Sequence, residues 1–281
     1  VAALTVFGLL AMVSGCASLV SASMGRLADS LTNGILNQND PKTVADGAPA
    51  YLLLVDGLIE DNPRDPSLLG AGTKLYSAYA SVFVSDHERR LRMTEKALDY
   101  AGRRLCVLHK AACGARSMHF GRFSKVVAGL DKDDVPALYD FSVAWAGWIQ
   151  ARSDDWSAIA DLAKVRAGLE RVVALDGKYE NGGPQMYLGV LATLVPPTLG
   201  GKPEVSRKYF DRAVELSGGR NLMIKVQYAD HYARVVFNRP LYERLLKEVL
   251  GGKTEAPGLT LSNTLAQQEA RKMLAKAPEI F

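Results

Sequence analysis

Cys106, His109 and Cys113 fall at i, i+3 and i+7 in the stretch "CVLHKAAC", with His119 close behind. On a continuous helix the three share one face, and two thiols with two imidazoles form a zinc donor set. That same helix would hold the cysteines about 10.5 Å apart at 1.5 Å per residue, beyond the roughly 7 Å that a disulfide spans. If the helix ends near Lys110, the chain turns at Gly114 and Cys106 and Cys113 pair. A disulfide, two unpaired thiols and a metal therefore stand as three readings. The disulfide is favoured in an oxidising compartment, and no metal site is expected.

A second group is aromatic. Phe141, Trp145 and Trp148 recur at i, i+4 and i+7 and make one stripe. Core packing is the simpler reading. The sharper one is an apolar ligand cleft, with Trp148 more cleft-like than Trp145 and with Tyr187, Tyr228 and Tyr232 as candidates for the same interior. Catalytic signatures are missing. His87-Glu88 has no second histidine at the zincin spacing, no G-x-S-x-G or S-x-x-K occurs, and "GAGTKL" at Gly70 lacks the third glycine and preceding strand of a dinucleotide fold. Asp131, Asp133 and Asp134 in "DKDDVP" lack the glycine turn and closing glutamate of a calcium loop. They read as an acidic turn before a helix. The expectation is a protein that is not an enzyme and carries no cofactor.

The elements that must position these residues read as helix after helix. Apolar residues recur at three- and four-residue steps, and no stretch alternates with period two. Asp40-Pro41 and Asp65-Pro66 are N-caps followed by proline at the first helical position, and Asp134 near Pro136 is assigned the same job. "YLLLVDGLIED", "SLLGAGTKLYSAYASVFV", "RRLRMTEKALDYAGRRLCVLHKA" and "VPALYDFSVAWAGWIQA" are four successive helices. "ERVVALDGKYENGGPQMYLG" from Glu170 returns as "DRAVELSGGRNLMIKVQYAD" from Asp211, an offset of 41 residues that sets Leu175 on Leu216, Gly177 on Gly218 and Tyr187 on Tyr228. A helix–turn–helix unit at that period marks helical-repeat packing. The fold class is all-α, with TPR-like helical hairpins (an α-solenoid) and additional packing helices. The proline- and glycine-rich "ATLVPPTLGGKPEVS" is a loop between hairpins.

The N-terminal run from Ala2 to Val13 carries no charge and is too short for a bilayer, which needs about 20 apolar residues. It fits the apolar region of a secretory signal. "VSGC" then resembles the lipobox of bacterial lipoproteins, with Cys16 as the acylated residue. The organisation is 1–15 signal peptide, 16–39 lipidated N-terminus with a first helix or linker, and 40–281 a single TPR-like domain. Ala17 is not aspartate, which leans toward the outer membrane. Lys and Arg number 34 against 30 Asp and Glu, a net +4 spread along the chain. This is not the basic footprint of a nucleic-acid binder.

From "PPTLGGKPEVSRKYFDRAVELSGGRNLMIKVQYADHYARVVFNRPLYERLLKEVL" the chain resembles the T component associated with TRAP transporters. "DGLIEDNPRDPSLLGAGTKLYSAYASVFV", "ALYDFSVAWAGWIQA" and "LSNTLAQQEARKMLAKAPEIF" carry the same likeness, in order. The resemblance implies a non-enzymatic periplasmic lipoprotein that docks the solute-binding subunit of a TRAP transporter. It also implies a homotrimer and a small apolar or carboxylate ligand. The alternative is a generic TPR-type envelope lipoprotein that scaffolds outer-membrane or cell-wall assembly. If Cys16 carries the anchor, Cys16→Ser releases the protein from the membrane fraction or blocks its processing. A processed mutant still fractionating with membranes refutes the anchor.

Overall fold

The computed structural model describes residues 30–195 and 200–281. Cys16 and the signal segment lie outside the described residues. The described chain is helical throughout, without a strand. Residues 30–36 are helical. Helix α1 spans Pro41–Asp61, and the Asp40 carboxylate accepts from the Lys42 N–H ahead of it. Helix α2, Pro66–Val82, starts the same way, with Asp65 accepting from Ser67 and Leu68. In both, the cap satisfies an N–H that the helix cannot, and proline occupies a place where its own missing N–H costs nothing. Asp86 caps α3, His87–Leu108.

Helices α4, Phe120–Ala128, and α5, Val135–Gln150, follow after two short 3₁₀ turns. Asp134 does not cap α5 as its position suggests. Its backbone is already helical, and its carboxylate accepts instead from the Asp131 N–H at 3.1 Å. Then come α6, Trp156–Ala160, α7, Leu162–Leu175, and α8, Gly183–Leu191. The last four are α9, Pro203–Ser217, α10, Leu222–Tyr228, α11, Arg239–Leu250, and α12, Thr260–Ile280. A π turn, Ala229–Ala233, continues α10.

Helix α2 packs on α1, α3 and α5, while α3 also packs on α5, and α5 on α7. From α7 onward each helix packs on the next, and α12 closes over α10 and α11. The 41-residue offset corresponds to two helix–turn–helix units, α7 with α8 and α9 with α10. Two buried clusters result. One runs from Val44 to Leu191 and takes in Leu261 of α12, the other runs from Phe210 to Ala277, and α8 supplies side chains to both.

The "GAG" of α2 serves packing. A Cβ on Gly72 would lie 2.7 Å from the Tyr100 ring and 2.9 Å from Ile59, and one on Gly70 would lie 2.9 Å from the Arg104 guanidinium carbon. The two glycines let α3 approach α2 closely. On its inner side α3 buries Ala97, Leu98, Ala101 and Leu105, and each fully buried leucine contributes about 1.5–3 kcal/mol.

That approach carries Arg104 into the interior, where its guanidinium donates to Asp140 of α5. The Asp140 side chain is only 4% exposed. Burial raises its carboxyl to about 6 despite the opposing charges of Lys74 and Arg104. Desolvation therefore outweighs the pairing. A raised carboxyl keeps its proton in the folded state where the unfolded chain has released it. Its contribution is full below about pH 4 and is lost as pH rises through about 6. About two units at ~1.4 kcal/mol each give about 3 kcal/mol. Urea unfolding of Asp140→Asn against the parent should therefore show the mutant's relative stability rising by that amount from pH 4 to pH 7. A difference that stays flat contradicts the assignment.

Candidate functional site

The solvent side of α3 presents Arg92, Glu95, Lys96, Asp99 and Arg103 at helical spacing. Two carboxylates fix this charged face in place. Glu95 accepts from the Arg116 guanidinium through one oxygen. Its other oxygen accepts from the Trp148 indole N–H at 2.5 Å and from Arg152 at 3.1 Å. The two guanidinium carbons each lie 4.3 Å from the Trp148 ring centroid, one being Arg116 and the other Arg152. Both cations thus lie within cation–π distance of the Trp148 ring. Burial pushes the Glu95 carboxyl up, but hydrogen bonds from Arg116 and Trp148 and the two guanidinium charges outweigh it, and its pKa falls below the usual range.

Asp56 of α1 does the same work one turn along. It accepts from Tyr76 and Tyr100 hydroxyls at 2.7 Å each and from the Lys96 ammonium at 2.6 Å. Burial again raises its carboxyl, and the three donors bring it below its ordinary value. Burial, then the Asp56 acceptor, raises the pKa of Tyr76 and Tyr100, so both stay protonated donors at neutral pH. Arg103 lies 5.4 Å from the Tyr100 centroid and donates to the Pro63 carbonyl at 2.9 Å. Both carboxylates remain charged, and each is anchored to residues on other helices.

Between these networks runs an open groove of about 560 Å³, lined by Arg92, Glu95, Lys96, Asp99, Arg103 and Arg152 with Leu91 and Tyr100. Four cations face two carboxylates there, so the groove presents net positive charge to solvent. Arg92 is exposed and has no partner among the described residues. The geometry can hold a fixed pattern of charge against a surface that complements it.

The aromatic candidates do not gather around a cleft. Phe141 and Trp145 are 1% and 0% exposed, packed with Phe123 in the first buried cluster. Trp148, at 8% exposed, belongs to the same buried cluster and also carries the two guanidinium groups against its ring. Tyr228 stacks on Phe210 at 5.0 Å in the second cluster and donates to Asp211, with Tyr232 at 5.5 Å. Tyr187 meets Tyr139 edge to face at 6.3 Å. None of the six lines the charged groove, because an apolar stripe at helical spacing is the face that a helix buries. Cys106 and Cys113 are joined by a disulfide with Cα atoms 4.3 Å apart. The helix stops at Leu108, and His109 is extended. The His109 imidazole lies 3.5 Å from Asp134.

Sequence reading missed Glu95 and Asp56. Their partners lie 20 to 57 residues away along the chain. Among the described residues no helix is long and apolar enough to cross a membrane.

No curated protein matches this sequence. The family described as the TRAP transporter T-component matches residues 37–281, a span that takes in every helix from α1 to α12, both buried clusters and the charged groove. The chain belongs to the TRAP transporter T-component family.

Proposed function

We propose that this protein is a non-enzymatic accessory subunit of a TRAP transport system that docks the solute-binding subunit through the charged groove of α3. Family membership supports the accessory role in TRAP transport. The observation that carries the docking surface is the groove itself. Its charges are exposed enough to meet a partner, yet Glu95 and Asp56 tie their carriers to the core. Fixed charge costs little side-chain entropy on binding, so more of the electrostatic complementarity appears as affinity and partner choice.

The groove carries more cations than carboxylates, so the partner face should be acidic. Periplasmic location, a lipid anchor at Cys16, TPR-like repetition and trimeric assembly belong to this reading through the resemblance. The scaffold alternative is less favoured, because the family is a transport family.

The test exchanges charge at the groove. Arg92→Glu combined with Arg103→Glu should weaken binding to the solute-binding subunit at least tenfold in calorimetry at low salt. The parent affinity should fall as salt rises, because exposed charges are screened over about 8–10 Å at physiological ionic strength. Arg92→Glu alone should keep the parent's melting temperature, since Arg92 has no partner among the described residues, whereas Arg103→Glu gives up the Pro63 carbonyl bond and the Tyr100 contact and should lower it. Unchanged affinity in the double variant refutes this docking surface.

A further inference from the structure

Where the two helix–turn–helix units meet, away from α3, a second open groove of about 510 Å³ runs between α7, α8 and α9. Val205, Lys208, Tyr209 and Arg212 fall at helical spacing on the α9 side. Val173 of α7 and Gln185 of α8 join them in the lining. Gln185 is 3% exposed, Val173 and Tyr209 are half-buried, and Lys208 and Arg212 are exposed. The groove therefore combines apolar side chains and one buried amide with two cations at its rim.

The amide is only half satisfied. Gln185 Nε2 donates to the Gly177 carbonyl at 2.8 Å, which fixes the orientation of the side chain. Its Oε1 is buried and accepts from nothing among the described residues. A buried acceptor without a donor is costly, and native chains keep few of them. Hairpin packing does not ask for this one. The 41-residue offset between the two units sets Gln185 on Val226, an apolar residue 2% exposed in the second cluster. The first unit thus departs from the second by placing an amide where the groove runs.

The unpaired groups select the ligand. Gln185 forms part of the groove wall, so a donor seated in the groove is the one that can reach Oε1. That donor must be neutral, because an ammonium or guanidinium would meet Lys208 and Arg212 as like charges. At the rim Lys208 has no partner among the described residues, and Arg212 pairs only with Glu215, at 2.6 Å. The Tyr209 hydroxyl makes no hydrogen bond there either, and burial raises its pKa, so it stays a donor. No carboxylate lines the groove. The ligand therefore offers a neutral N–H, an apolar face and negative charge together. An extended peptide supplies all three, because its backbone carries N–H groups and its side chains alternate between two faces. A simple carboxylic acid has no such donor.

We propose that the groove between α7, α8 and α9 binds an extended acidic peptide segment. A backbone N–H donates to Gln185 Oε1, an apolar side chain lies on Val173 and Val205, and a carboxylate meets Lys208 and Arg212. This site is separate from the α3 groove and does not rest on the docking reading.

The test measures binding to the full chain by calorimetry at low salt. The probes are acetyl-Leu-Glu-Leu-Glu-amide, its counterpart with lysine in place of glutamate, the acidic peptide with its backbone nitrogens methylated, and hexanoate. The acidic peptide should bind at least tenfold more tightly than each of the other three. Lys208→Gln removes an exposed, unpaired cation, so it should weaken the acidic peptide at least threefold with the melting temperature unchanged. Gln185→Leu should shrink the gap between the acidic peptide and its methylated form to less than threefold, since the acceptor that reads the N–H is gone. The proposal is overturned by no binding of the acidic peptide, or by equal binding of the lysine peptide, the methylated peptide or hexanoate. Parent affinity in Lys208→Gln, or a methylation gap that persists in Gln185→Leu, overturns it as well.

Discussion

The close contact between α2 and α3 at Gly70 and Gly72 is the constraint on which the rest depends. A side chain at either glycine would meet Tyr100, Ile59 or Arg104 below normal contact distance. Because α3 lies this near, Tyr100 reaches Asp56 and Arg104 reaches Asp140. The first contact orders the charged groove, and the second ties α3 to α5. Both contacts thus hang on one helix–helix approach, which Gly72 permits by leaving room for the Tyr100 ring and Ile59.

The three carboxylates along α3 show how environment divides one chemistry into two behaviours. Glu95 and Asp56 are part-exposed and collect three donors each, so their charge is stabilised. Asp140 sits deeper, and burial outweighs its guanidinium partner. A charge meant to face a partner must stay ionised at working pH, and Glu95 and Asp56 do so. The buried Asp140 instead resists ionisation, which suits a group that fixes packing rather than one that displays charge.

Local signals were legible because their causes are local. Asp40 and Asp65 cap helices from the next residues in the chain, and proline at the first turn reinforces each. The hairpin offset of 41 residues was readable for the same reason. Asp134 misled because its carboxylate had a nearer acceptor role in its own turn. The Phe141–Trp145–Trp148 stripe was visible, but periodicity says only that a face is buried. It cannot show that Trp148, at the edge of that core, also meets the guanidinium groups of Arg116 and Arg152. The glycines of "GAGTKL" looked like a failed phosphate motif, since the side chains that fill their space come from another helix. Asp56 and Glu95 were hidden because their partners are distant along the chain.

If docking follows the charged groove, the transport partner sits on the solvent face of α3. Photo-crosslinking tests it most directly. A benzoylphenylalanine at position 92, in full-length protein mixed with the solute-binding subunit, should capture that subunit on irradiation. The same probe at the exposed position 236, far along the chain in the second unit, should not. Capture from position 236 with none from position 92 would place the partner away from α3.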